Sequence, residues 1–206
     1  MKNKEFDQTT RNRRTKKELE HLIWDAFERL AIKDGFYSIT LVKLAREADV
    51  EPPVIYKRFK DAEDLFEQYV QRNDFWLNRT IAIDPNLSPK ECVVKVLTGL
   101  IDHMYDNEIM QRILLTVLNN TNETSRQIAA NRERSNKHLI EYLHNGLKDY
   151  GVSADVIVAI MLGGIYYLVL HRKVGTVNMV DFNKEENKEL MKKAIREMTN
   201  KIFRDA

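Results

Sequence analysis

His138, Glu141 and His144 are the residues that most invite chemistry, because two imidazoles and a carboxylate at close spacing could hold a metal ion or relay a proton. Their angles argue against it. On a helix of 3.6 residues per turn the two histidines point roughly 120° apart and do not converge, and no H-E-x-x-H pattern occurs. Cys92 lies beside Val93 and Val96 on an apolar stripe, the setting of an inert core thiol. There is no glycine-rich phosphate loop and no nucleophile elbow. The chain therefore reads as a non-enzyme, with no catalytic residues, no metal and no cofactor.

A different chemistry is written between residues 40 and 60. Thr40, Lys43, Glu51, Pro52, Val54, Tyr56, Lys57 and Lys60 fall in this short stretch, which also holds Arg58, and an arm with Lys2, Lys4, Arg11, Arg13 and Arg14 precedes it. Cations of this kind neutralise phosphates, while side chains on an inserted helix meet base edges. Residues 1–60 hold 14 basic and 10 acidic groups, and residues 61–206 hold 19 basic and 21 acidic, so a net charge of +2 conceals a basic N-terminal third. That third suits a polyanion.

The elements that must position these groups are helices. Only 7 glycines and 4 prolines in 206 residues leave little room for tight turns, and 43% hydrophobic with 31% charged residues is a globular balance. Thr15 with Glu18 has capping-box spacing and opens a helix carrying Leu19, Leu22, Ile23, Ala26, Phe27, Leu30 and Ala31, closed by Gly35. Thr40 caps a short helix with Leu41, Leu44, Ala45 and Ala48 inward. After a tight turn at 49–51, Pro52 and Pro53 begin a third helix running to about Phe59, and Asp61 caps a fourth bearing Leu65, Phe66, Tyr69, Val70 and Leu77. Two short helices joined in this way form a helix-turn-helix, whose second helix enters the major groove.

These residues resemble the TetR family of bacterial transcription regulators. The family's motif runs Thr, Ala, Ala-Gly-Val-Ser, Tyr, Phe, Lys, Leu; here those places hold Thr40, Ala45, Ala48-Asp49-Val50-Glu51, Tyr56, Phe59, Ala62 and Leu65, with Phe27, Gly35 and Phe36 ahead of them. The resemblance covers residues 15–70. Asp49 stands in place of the turn glycine and tolerates a left-handed backbone. Glu51 replaces the serine cap and brings an anion where phosphates approach, and Ala62 replaces a phosphate-contacting lysine, so both changes weaken DNA binding. Because Pro52 and Pro53 lack amide donors, reading falls to Glu51, Val54, Tyr56 and Lys57.

Pro85 and Pro89 bracket a break, placing a boundary between a DNA-binding domain with arm and linker helix at 1–82 and a helical domain at 83–206. Ser88-Pro89-Lys90-Glu91 opens a helix with Val93, Val96, Leu97, Leu100, Ile101 and Met104. Ile109 to Leu118 is a further apolar block, and the polar stretch Asn119 to Lys137 leads into a long helix ending near Gly151. Ser153 caps the next helix. Asn183 with Glu186 caps the last. From Val156 to Leu170 every residue is apolar, glycine or tyrosine, which predicts burial on all sides yet is too short to span a membrane. A second subunit would cover its outer face, giving a homodimer joined through Gly163, Gly164, Tyr167, Ala194, Ile195 and Met198.

The fold class expected is thus all-α, with an N-terminal three-helix helix-turn-helix domain and a C-terminal helical domain for ligand sensing and dimerisation. Two reading helices one duplex turn apart suit a palindromic operator in double-stranded DNA. The resemblance implies a small-molecule effector working as a lever on DNA affinity, with Trp76, His103, Met104, Met110, Tyr142 and Tyr166 as its candidate pocket. A ligand-responsive repressor in the cytoplasm is the expectation, since the chain has one cysteine and a charged N-terminus unlike a signal peptide. The alternative is a protein of this fold with weakened or lost DNA binding that acts through protein contacts.

Overall fold

The computed structural model describes residues 15–78, 84, 86–148 and 153–203. It is all-α, and the chain packs as two compact units, Met1–Phe66 and Glu67–Ala206. The basic arm with Arg13 and Arg14, the boundary at 82–83, Pro85 and Gly151 lie outside the described residues.

In the first unit, α1 (Lys16–Asp34) opens on the expected capping box. Glu18 N–H donates to Thr15 Oγ1 at 3.2 Å and Thr15 N–H to Glu18 Oε2 at 2.7 Å, so two amides without helical partners are satisfied. Gly35 ends it with φ 82°, in the region where a Cβ is strained. Ile23, Ala26, Phe27, Leu30 and Ala31 face inward. The centroid of Phe36 sits 5.7 Å from that of Phe27 and 5.0 Å from that of Phe66, a cluster of mutually tilted rings in the core of the unit. Helix α2 (Leu41–Glu47) is capped by Thr40, whose Oγ1 accepts from Lys43 N–H at 3.2 Å. Leu44 and Ala45 anchor it in the core.

The turn after α2 is a Schellman closure. Asp49 N–H donates to Arg46 O at 3.2 Å and Val50 N–H to Ala45 O at 3.0 Å, with Asp49 at φ 50°, the left-handed conformation expected of it. Helix α3 then spans Pro52–Tyr56 and buries Ile55. The expected extension to Phe59 is corrected: both Arg58 and Phe59 N–H groups donate to Ile55 O, at 2.9 and 3.0 Å, and close the helix as a turn. Helix α4 (Ala62–Asn73) is capped by Asp61, whose Oδ1 accepts from Asp64 N–H at 2.8 Å.

Helix α4 stops short of Leu77, against expectation. Asp74, fully buried, ends it and accepts from Trp76 N–H at 2.9 Å to start α5 (Phe75–Asn78). Helix α6 (Pro89–Asp106) carries the Ser88–Glu91 capping box, and Asn107 caps α7 (Glu108–Asn119). A second correction follows. The polar stretch after Asn119 is itself helical, as α8 (Glu123–Ser135) capped by Asn122, followed by α9 (Lys137–Leu147). In α8 the inward residues are Thr124, Ser125 and Ile128, too small and polar to leave an apolar stripe. At Gly146 on α9 any Cβ would collide with the Pro89 ring, so the two helices approach at a glycine.

Helix α10 (Ala154–His171) buries Ala154, Met161, Ile165 and Val169, while Val156, Ile160 and Tyr167 are exposed. Burial on all sides is therefore not met within one chain. At 18 residues, and alone among the described helices, it is long and apolar enough to cross a membrane by length and composition. The shorter run read from the sequence understated its length. A turn follows in which Val177 and Val180 pair and both Asn178 (φ 50°) and Met179 (φ 66°) are left-handed. Helix α11 (Glu185–Ile202) has Lys184 as its N-cap, without a side-chain cap. Asn183 instead donates through Nδ2 to Arg172 O at 2.7 Å, which corrects the expected cap.

The core of the second unit runs through α6, α7, α9, α10 and α11, with Leu100, Ile101, Met104, Met110, Ile165 and Phe203 among its most buried members. Cys92 belongs to it, and burial pushes its thiol pKa up. Asp102 holds Lys188 at 3.3 Å and Lys192 at 3.0 Å, tying α6 to α11.

Candidate functional site

Around α2 and α3 the chain separates packing from display. Ile55 and Phe59 turn inward, Phe59 against Trp24 with centroids 5.5 Å apart. Glu51, Pro52, Tyr56, Lys57 and Lys60 are exposed, Val54 is half-buried, and the Tyr56 side chain is 54% open. Neither Lys57 nor Lys60 forms a salt bridge among the described residues, so both ammonium groups stand available to an anion. Lys43 is engaged: its Nζ donates to Ser38 O at 3.0 Å and lies 4.0 Å from Asp34. Thr40 uses its oxygen as a cap acceptor and keeps its hydroxyl proton.

The second unit holds a cavity of about 410 Å³ between α6, α8, α9 and α10, with Trp76 of α5 at one end. Val93, Leu97, Leu139, Leu143, Val158 and Leu162 are among its apolar lining. Of the six residues expected there, Trp76 and Tyr166 line it, and the indole Nε1 donates to the Tyr166 hydroxyl at 2.6 Å. Burial pushes the Tyr166 phenol up to about 12. The other four are corrected. Met104 and Met110 are fully buried in the core, Tyr142 donates its hydroxyl to Leu87 O at 2.8 Å, and His103 packs against Phe75, its ring 5.3 Å away.

Sequence reasoning missed the polar end of this cavity. Asp74 accepts from Arg132 Nε at 2.9 Å and Nη2 at 2.5 Å, both on its Oδ2, a charge-assisted pair with Asp74 wholly shielded from solvent. Asn136 Nδ2 donates to Trp76 O at 3.2 Å. Trp76 is thus held at its amide, its carbonyl and its indole. Of this cluster only Trp76 and Tyr166 were expected from the sequence.

Of the expected subunit-contact residues, Gly163, Gly164, Tyr167, Ala194 and Met198 are exposed, and nothing lies within 4 Å of a Cβ built on either glycine. Ile195 is corrected: it is 4% exposed and packs in the unit's own core. His144 Nδ1 lies 2.7 Å from Asp155, and His138 lies 3.9 Å from Glu141, so the two histidines serve different carboxylates. Among the described residues no group of three His, Cys, Asp or Glu is placed to hold a metal.

Residues 23–69 match the family model described as bacterial regulatory proteins, tetR family. This segment is a TetR-family domain. A Haemophilus influenzae protein described as an uncharacterized HTH-type transcriptional regulator is 37% identical over 60 residues, 29% of this chain and 32% of that protein. The matched part is therefore about a third of that relative's length. In fold, the chain is similar to a TetR-like transcriptional regulator from Rhodococcus sp. RHA1, with 17% identity, TM-score 0.65, and coverage of 91% of this chain and 96% of that one. A TetR-family transcriptional regulator from Haemophilus influenzae is similar at 21% identity and TM-score 0.63, over 90% and 98% of the two chains.

Within the TetR-family domain the departures from the motif have a structural reading. Asp49 takes the left-handed turn position without losing the Schellman bonds. Glu51 is the N-cap of α3 but makes no side-chain cap bond, as its longer chain predicts. Ala62 begins α4.

Proposed function

We propose that this chain is a DNA-binding transcription regulator, a ligand-responsive repressor that binds a palindromic operator as a homodimer in the cytoplasm. The observation that carries the reading is α3, the second helix of the helix-turn-helix, anchored by buried Ile55 while Tyr56, Lys57 and Lys60 stand outward. A helix presented in this way fits the major groove, with lysines against phosphates. The division of labour runs 1–82 for DNA and 83–206 for ligand and partner. The homodimer is supported by the exposed Val156, Ile160 and Tyr167 on α10, large apolar groups that one chain leaves in water. The effector reading is supported by the cavity lined by Trp76 and Tyr166. A ligand that prefers one of two states of the dimer changes DNA affinity by the ratio of its affinities for them. Occlusion of a promoter needs only site-specific binding, which favours repression.

The test is a mobility shift on the chain's own promoter region at two salt concentrations. Lys57→Ala with Lys60→Ala is expected to lower affinity for every sequence and to flatten the salt dependence, the slope falling by about 0.9 for each phosphate that is no longer neutralised. An unchanged slope rejects the assignment of these lysines. Failure of the unaltered protein to bind at either salt supports the other reading, in which Glu51 and Ala62 have removed DNA binding and the fold acts through protein contacts.

A further inference from the structure

Resting on the reading of the C-terminal cavity as a ligand site, we propose that its ligand is an uncharged, largely apolar molecule with one hydrogen-bond acceptor, seated against the Tyr166 hydroxyl. The walls set the apolar part. Val93, Leu97, Leu139, Leu143 and Leu162 offer aliphatic surface, and a volume of about 410 Å³ lies in the range of sites that enclose small organic molecules.

The Tyr166 end selects an acceptor. Its oxygen receives the Trp76 indole proton at 2.6 Å, which leaves the phenol's own proton without an acceptor among the described residues. A phenol oxygen can accept and donate at once, and in an apolar cavity a free O–H is worth more when paired. With its pKa pushed up to about 12, the group remains a donor throughout the neutral range.

Charge selects against ions. Arg132 is the cavity's lone cation among its lining residues, and its Nε and Nη2 are both committed to Asp74, so its charge is already matched. Two further carboxylates, on exposed Glu133 and Asp155, line the same cavity, with Asp155 partnered by His144 at 2.7 Å. An anionic ligand meets these acids, and the one guanidinium that lines the cavity is already neutralised by Asp74. A cationic one must shed its water beside an aliphatic wall, and the two carboxylates that could receive it stand exposed, Asp155 already partnered by His144.

Three ten-carbon probes separate these cases: decan-2-one, decanoate and decylammonium, each titrated calorimetrically into the full chain, with fluorescence of a Trp24→Phe variant, in which Trp76 is the remaining indole, as the site readout. Decan-2-one is expected to bind at least tenfold tighter than either ion. Tyr166→Phe, which keeps the ring, should weaken decan-2-one roughly threefold to tenfold, the range of one lost hydrogen bond. Leu162→Trp, on the half-buried wall, should abolish its binding. Tightest binding by an ion, no binding by any probe, or unchanged ketone affinity in Tyr166→Phe overturns the proposal. Should Tyr166→Phe fail to fold, the rank order of the three probes on the unaltered protein decides. DNA binding is read separately by mobility shift, so a wrong ligand class with intact DNA binding is distinguishable from failure of the regulator reading itself.

Discussion

The two units solve opposite problems with the same helical material. The N-terminal unit fills its centre with Phe27, Phe36, Phe59 and Phe66 and carries its candidate chemistry on the outside, on the exposed side chains of α3. The C-terminal unit keeps a hollow inside, braced by an enclosed ion pair, and exposes large apolar groups along α10. A reading surface needs a rigid support, since phosphate and base contacts demand fixed spacing. A binding cavity needs missing packing, held open by groups that cannot collapse into it. The contrast therefore predicts different responses to the same kind of mutation.

The largest effect is expected where the brace is cut. Asp74→Ala leaves the Arg132 guanidinium, with only 14% of its side chain exposed, without its partner. Urea unfolding should show a loss of about 3–5 kcal/mol, and a loss below about 1 would mean that the pair does not hold the cavity's end. In the N-terminal unit, Ile55→Ala removes a fully buried anchor of α3 and should cost about 2–5 kcal/mol in the same assay. It should also lower DNA affinity with no charge changed.

Filling substitutions set the two units further apart. Ala45→Leu, at a position 1% exposed, should cost about 1–3 kcal/mol by overpacking the first unit. Ala159→Leu, on the cavity wall, should cost under about 0.5 kcal/mol and should weaken ligand binding. Equal costs at the two sites would erase the distinction between filled and hollow. A smaller signal comes from pH. Because Tyr166 has its pKa raised by burial to about 12 from an ordinary 10.0, its contribution to stability is complete below the unfolded value and is lost as pH rises towards the folded one. Ultraviolet titration should find late-ionising phenols at Tyr105 and Tyr166, both pushed up by burial, and the loss of one of them in Tyr166→Phe identifies it. The smallest effect belongs to the caps, where Thr15→Ala and Ser88→Ala should each cost about 1 kcal/mol in thermal unfolding.

What the sequence made legible follows the range of the forces involved. Caps at Thr15, Thr40 and Ser88 and the left-handed turn at Asp49 are decided within a few residues; the caps were visible in residue type and spacing, and the turn through the motif position that Asp49 occupies. Helix α8 was hidden because its buried face is Thr124, Ser125 and Ile128, which leaves no apolar periodicity to find. The break at Asp74 was hidden for another reason: its carboxylate is satisfied by Arg132, 58 residues further on, and by the Trp76 amide. Candidate surface residues such as Tyr56 and Lys57 were recognisable from type and position. Among the pocket candidates, aromatic type served for Trp76 and Tyr166 and misled for Tyr142, because lining a hollow depends on which neighbours are small.

The solitary sulfhydryl at Cys92 has a practical corollary. It is 3% accessible, and its protonated form is favoured by its surroundings, so alkylating dyes should pass it by in the native protein. An engineered surface cysteine on the recognition helix would then accept a spin label or fluorophore at a single place without deleting any native residue of the interior. Paired labels on a duplex would turn the spacing of two such helices into a directly measured length.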